Sequence, residues 1–512
     1  MENNKPLLVI FIFFIAIISH LIGINKIGRT WDEQFKVDMG YIAWDRIFAG
    51  DFSTDSWKIG EEHPMVAKYV YGLFIRPEMI RLDDGRGNLR SFLLPNEITQ
   101  ISNGNYIITQ LNEKLFAVNY DFTFPRIASA LFNSIAIAVV TILAFFMLKG
   151  YWVLVPGLFL VLTPRFLVMG QLITYESLSV FLFSLTAFFF YHLLKNPKIT
   201  KLYVIIGFLC GLLFWTRYNN IYVFLFLTGW LLIHYLFNKK MEVFNWRLIL
   251  IPLISFFLGI AIWPLMWSEF PKYLLLTFQE NQVRPIGPSF YFVGRLLVTT
   301  PVPIILGLII GIFVGFTKRN YFLILLLWWF FSALMFFSLV SIQMGGTRYI
   351  FVIYPAIAIL SAFGFSKILK GKFAFLLVIL VIFMIWDMAR AYPYYLDYYN
   401  QIIGGSKEAS GKDYEFSWWG EGQREIGFWI NKNLPQGSSV ALIVTPKYVF
   451  PSLRKDLINK GYSDEKTDAD YVVVTRGDSK NLPLEFFMRY KNIYNSEIEG
   501  EYLVSLYKRN TK

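Results

Sequence analysis

Charge and cysteine are what this sequence has least of. Only 16% of its 512 residues are Asp, Glu, Lys or Arg, against about 25% in an ordinary soluble domain. That excludes a chain surrounded by water on all sides. The single cysteine, Cys210, excludes an internal disulfide. It lies in an apolar run and reads as a small packed hydrophobe rather than a nucleophile. There is no paired Cys/His spacing, no Walker loop, no internal repeat and no low-complexity tract. What the chain has instead is apolar: 55% hydrophobic residues, 19% aromatic, 51 of them Phe, and a mean hydropathy of +0.47. The net charge of +12 does not point to nucleic acid, because Lys and Arg fall in short clusters between apolar runs.

A helix needs about 20 apolar residues to cross a bilayer. Eleven segments qualify or nearly do: 6–24, 123–148, 151–169, 174–194, 202–217, 220–238, 248–267, 293–316, 321–342, 349–366 and 373–389. The first follows Lys5, is longer than a usual signal core and lacks a small-x-small cleavage site, so it reads as a retained helix. With the N-terminus in the cytoplasm, every inner turn carries Lys or Arg: Lys149; Lys195, Lys198 and Lys201; Lys239, Lys240 and Arg247; Lys318 and Arg319; Lys367, Lys370 and Lys372. The outer turns 170–173, 218–219 and 343–347 carry none. This asymmetry predicts a multi-pass cell-membrane protein with its C-terminal segment extracytoplasmic.

Two polar regions then lie outside. The first is the loop 25–122, in which 41–49 has helical periodicity suited to the interface and 83–113 reads as an irregular insertion. The second is 390–512. A helix-like run at 421–434, a strand at 440–444, a helix near 451–460, and strands at 471–474 and 502–506 predict a small α/β domain. The expected division is therefore 1–389, transmembrane, and 390–512, extracytoplasmic.

Chemistry-bearing residues gather at the predicted outer interface. Asp32 and Glu33 follow the first helix. Carboxylates near a low-dielectric boundary, beside one another, suit a general base; a solvated acid pair is the plainer alternative. His63 and Lys68 could face a phosphate, or simply open a short helix at Pro64. Asp121 and Arg126 bracket the second span, Glu176 opens the fourth, Arg217 ends the fifth and Arg348 opens the tenth beside Tyr349. Each could be an interfacial snorkelling residue. Together, three outer arginines that run against the inside bias point to a retained anion. A lipid phosphate fits, since Arg binds phosphate bidentately and stabilises the charge that grows as it departs. A base on one face and guanidinium groups on the other suit displacement at a sugar's anomeric carbon with inversion.

In order and spacing, these pieces resemble the polyprenyl-phosphate-dependent GT-C glycosyltransferases, the superfamily of protein O-mannosyltransferases and lipid A aminoarabinose transferases. The matching pieces are WDE at 31–33, HPMVAK at 63–68, PRIASALF at 125–132, ITYESL at 173–178 and TRYIFVIYP at 347–355. The most specific are YPYYLDYYNQIIGG at 392–405 and WWGEG at 418–422. The resemblance covers about 1–220 and 345–425; the last ninety residues fit no pattern. It implies Asp32 as catalytic base with Glu33 assisting, and Lys68, Arg126 and Arg348 on the donor phosphate, with Arg217 nearby. His63, Glu176 and Tyr349 would support them. A divalent metal on Asp32 and Glu176 is left open, because relatives differ. Met65 in place of a second Pro, and Glu176 where many relatives have Asp, bear on sugar and acceptor rather than reaction. The implied partners are a dolichyl- or undecaprenyl-phosphate sugar, a protein, glycolipid or glycan acceptor, and membrane lipid. A flippase of lipid-linked saccharides would share the helices and arginines, but broken helices and midplane charges in repeated halves would be expected of it. A non-enzymatic scaffold would leave the clustered charges without a purpose.

Overall fold

The computed structural model describes residues 5–57, 63–74, 82–83, 89–90, 116–117, 122–270, 289–318, 320–340, 345–412, 414–443, 449–463, 465–479 and 482–510. Most of the insertion 83–113, with Asp121 and Arg319, lies outside these residues.

The apolar segments are helical, as backbone in hydrocarbon must satisfy its own N–H and C=O groups. In chain order they are α1 (Lys5–Leu21), the more polar α2 (Trp31–Ala49) and α3 (Val66–Gly72), α4 (Thr123–Ala144), α5 (Val155–Val161), α6 (Pro164–Gln171), α7 (Tyr175–Lys195) and α8 (Thr200–Phe214). There follow α9 (Tyr222–Asn238), α10 (Leu250–Ile262), α11 (Tyr291–Thr299), α12 (Val302–Thr317), α13 (Tyr321–Val340), α14 (Tyr354–Ile368) and α15 (Phe375–Ala391). Among the described residues, seven helical segments are long and apolar enough to cross a membrane, and α1, α8 and α12 are shorter apolar helices. The chain is a multi-pass membrane protein. The segments around α4, α7 and α14 are 72%, 72% and 83% buried, so they form the centre of the bundle; those around α10 and α15, at 22%, form its rim.

Two expected spans are corrected. The segment 151–169 is not one helix: it breaks at extended Thr163, and Pro164 opens α6, because proline cannot donate to the preceding turn and is tolerated at a helix start. The segment 293–316 breaks in the same way at Thr300 and Pro301, between α11 and α12. The stretch 41–49 is helical, but as the second half of α2, whose Val37, Met39, Ile42 and Ala43 are buried.

Helices α2 and α3 meet backbone to backbone. A Cβ on Gly40 would lie 2.4 Å from the Lys68 carbonyl, and one on Gly72 would lie 2.6 Å from the Gly40 carbonyl. Two side chains of hydrogen set this spacing.

Short strands β1 (Leu82–Asp83), β2 (Leu89–Arg90) and β3 (Phe116–Ala117) form an antiparallel sheet in the order β2-β1-β3. After α15 come α16 (Gly405–Ser410) and α17 (Gln423–Asn433), then β4 (Ser439–Ile443), β5 (Ile458–Ser463), β6 (Tyr471–Thr475), β7 (Tyr490–Ile498) and β8 (Glu501–Arg509). The sheet order is β5-β4-β6-β8-β7, with β4 parallel to β5 and β6, and the rest antiparallel. Helix α17 packs on β7 and β8. The helix expected near 451–460 is absent. That segment is irregular and ends in β5, held by Arg454, which donates to the carbonyls of Asn431 and Leu434 and to Asp456.

Candidate active site

The loop after α1 turns at Thr30, which caps α2 reciprocally: the Thr30 amide donates to Glu33 Oε2 at 2.9 Å. That cap puts Asp32 and Glu33 in the first helical turn, pointing about 100° apart. They meet different partners.

Glu33 turns inward and is fully buried. Both oxygens receive Arg126, whose Nε lies 2.8 Å from Oε1 and whose NH2 lies 2.6 Å from Oε2. The Ile173 amide donates to Oε1 at 3.0 Å. Arg126 also donates to the carbonyls of Ile24, at 2.8 Å, and Gly28. This ion pair therefore ties the loop after α1, the start of α2, the start of α4 and the turn before α7.

Asp32 turns outward, its carboxylate 40% exposed. Arg348 NH2 donates to Asp32 Oδ2 at 2.9 Å, while Arg348 Nε donates to Glu176 Oε1 at 3.1 Å. Arg217 NH1 reaches the same Glu176 oxygen at 2.7 Å. The guanidinium of Arg217 lies 4.3 Å from the centroid of the Tyr349 ring. A turn with left-handed Gly345 and Gly346 (φ +71° and +61°) delivers Arg348 to this point. Glu176 Oε2 is buried with no partner among the described residues.

Lys36, one helical turn after Asp32, is fully buried, donates to the Asp32 carbonyl at 2.9 Å and faces the Tyr175 ring at 4.7 Å. Lys68 is fully buried, donates to the His63 carbonyl at 2.5 Å and lies over Phe35. His63 sits edge-on to Tyr175 at 4.7 Å. The four cations Arg217, Arg348, Lys36 and Lys68 thus surround two carboxylates, Asp32 and Glu176, leaving positive charge in excess.

Partial burial alone would raise the pKa of Asp32, but the charges of Arg348 and Lys36 outweigh it and hold the carboxyl below its usual range. Burial brings Lys36 down to about 8, against the pull of Asp32. Burial, then Arg217 and Lys68, keep His63 well below its ordinary value and neutral.

The WWGEG segment closes one side. Trp419 stacks on Arg348 at 4.1 Å, and its carbonyl accepts the Trp31 amide at 3.2 Å. Below it, Glu421 accepts the Trp419 amide at 2.8 Å and Asp397 accepts the Ser417 amide at 2.7 Å. Both carboxyls are fully buried. Burial pushes Glu421 up to about 7 and Asp397 well above its ordinary value.

Asp32, Lys68, Glu176, Arg217, Arg348, His63 and Tyr349 therefore gather in one place; Glu33 and Arg126 pair with each other beside it. The sequence reading missed Lys36, and it singled out the WWGEG segment without giving Trp419 or Glu421 a role. Lys36 was findable as the i+4 neighbour of Asp32. As for a metal, Arg348 already bridges Asp32 and Glu176, and no group of three or more His, Cys, Asp or Glu stands together among the described residues. The donor set fits a guanidinium between the carboxylates better than a metal ion.

No protein-family description matches the chain, and no curated protein matches its sequence. Solved structures do. The chain is similar to ArnT from Cupriavidus metallidurans bound to undecaprenyl phosphate, with 12% identity and a TM-score of 0.51 over 98% of this chain and 97% of that one. It is also similar to the apo state of the same protein (13% identity, TM-score 0.49, 97% of each chain). A further match is the Archaeoglobus fulgidus oligosaccharyltransferase (11% identity, TM-score 0.48, 86% of this chain and 63% of that one). At these identities the first comparison shows a shared fold along nearly the whole chain.

Proposed function

We propose that this chain is an inverting glycosyltransferase that moves a sugar from a polyprenyl-phosphate donor to an acceptor hydroxyl, on the extracytoplasmic side. The observation that carries the reading is Arg348 joining Asp32 and Glu176 beside Arg217, with Lys36 and Lys68 close by. The ArnT fold, solved there with undecaprenyl phosphate, supports the donor class. The motif resemblance supports the reaction.

In this reading the acceptor oxygen attacks the anomeric carbon while Asp32 takes its proton. The bond from that carbon to the phosphate oxygen breaks, and the electron pair leaves with the polyprenyl phosphate. Arg348, Arg217 and Lys68 stabilise the charge on that leaving group. Glu176 holds the two arginines, Tyr349 supports Arg217 and His63 orients Lys68. An arriving phosphate shares Arg348 with Asp32, so the carboxylate loses part of the charge that depresses its pKa and becomes a better base. Glu33 and Arg126 hold the frame. No step is routed through a metal. We read 1–389 as the catalytic membrane domain, with eleven crossings of which two are made by the broken pairs α5–α6 and α11–α12, and 390–512 as its extracytoplasmic cover. The donor lipid is dolichyl or undecaprenyl phosphate, and the acceptor a protein, glycolipid or glycan.

The test is release of polyprenyl phosphate by purified protein from a panel of polyprenyl-phosphate sugars, wild type against Asp32→Asn. Release by wild type alone, with both proteins folded, supports the transferase. Absence of turnover, with donor crossing reconstituted vesicles equally in both, favours the flippase.

A further inference from the structure

Away from the active site, helix α1 and the rim helix α15 end side by side. A Cβ on Gly23, just after α1, would lie 2.7 Å from the ring of Tyr392, just after α15. Their outer faces are apolar and exposed, with Phe14 and Ile18 on α1 and Ile382 and Ile385 on α15 all at least half exposed. At the end of these lipid-facing surfaces lies a groove of about 500 Å³, lined among others by Lys26, Arg424, Phe428 and Lys432. A second cavity of about 270 Å³ shares Arg424 and Phe428 and adds Arg29 and Arg126. Neither is lined by Asp32, Glu176 or Arg348.

Positive charge accumulates in this groove. Glu425, the groove's acid, already accepts the hydroxyls of Tyr394 and Tyr494, each at 2.8 Å. Arg424 lies over the Phe428 ring at 4.4 Å, and among the described residues Lys26, Arg424 and Lys432 form no ion pair. Burial and the like charge of Arg126 lower the pKa of Arg424, so a bound anion would relieve it. Phe428 is 51% exposed at the mouth. Basic heads above an apolar wall are the complement of an anionic lipid, not of a soluble anion.

We propose that this groove holds the phosphate headgroup of an anionic membrane lipid whose acyl chains run down the outer faces of α1 and α15. The proposal goes beyond the transferase reading and does not depend on it.

The test places the full-length protein in nanodiscs of phosphatidylcholine containing phosphatidylglycerol and counts retained phosphatidylglycerol by native mass spectrometry. Arg424→Gln/Lys432→Gln is expected to retain on the order of tenfold less than wild type, with unchanged melting in phosphatidylcholine alone. Arg424→Lys is expected to retain it. If the double variant does not fold, Lys26→Gln/Lys432→Gln, at two exposed positions, gives the same reading. Equal retention by wild type and folded variant overturns the proposal. So does lost sugar transfer with retention intact, which would make the groove an acceptor site.

Discussion

Asp32 and Glu33 are neighbours in the chain, each paired with an arginine, yet they inhabit different proteins in miniature. Glu33 is sealed, with both oxygens on Arg126 and a third donor from Ile173. Asp32 keeps 40% of its side chain exposed and shares its arginine with Glu176. One step of a helix separates a pair whose every bond is internal from a pair arranged so that an incoming anion can compete for its cation. Sealing closes an ion pair to outside partners; exposure and sharing leave one open to them.

The sharpest way to break this comparison is Arg126→Met. It strands Glu33 without its charge partner, and removing one member of a buried pair costs about 3–5 kcal/mol. The expected result is a large loss of thermal stability and yield, read by melting in detergent; a variant that melts like wild type would show that the pair is not structural. Asp32→Asn should do the opposite: melting within a degree or so of wild type, and sugar transfer reduced about 10²–10⁴-fold.

A subtler probe is Lys36. With its pKa brought down to about 8, it is charged below that pH and neutral above it. Transfer by the wild type should therefore fall through an alkaline limb near pH 8, and Lys36→Met should be slow throughout and lack that limb. Retention of the limb in Lys36→Met would assign it elsewhere. The smallest effect concerns Glu421. Its folded pKa of about 7 exceeds its ordinary value, so the folded state holds an extra proton between about pH 4.5 and 7 and loses stability as pH rises through that window. Glu421→Gln should flatten this slope in melting scans; an unchanged slope would mean that another group carries it.

Much of this was legible in sequence. Hydropathy located the apolar helices, and apolar runs located β4, β6 and β8. The breaks at Pro164 and Pro301 were missed because a hydropathy window averages over a proline that interrupts hydrogen bonding without interrupting apolarity. The helix placed near 451–460 failed because Arg454 is committed to the end of α17, a tertiary contact with no local signal. At the site, residue types were readable but pairings were not. Arg348 lies 316 positions from Asp32, and Arg126 lies 93 from Glu33, so only the fold could say which arginine served which acid.

The glycine contact between α2 and α3 has a consequence for engineering. Asp32 and Lys36 ride on one helix, Lys68 on the other, and Gly40 against Gly72 is the shim between them. A methyl group at either position is a wedge driven into the jaw of a vice. It would shift Lys68 relative to Asp32 and Lys36 while leaving every side chain of the cluster in the sequence. Attempts to stabilise this protein by replacing helical glycines with alanine should begin anywhere but there.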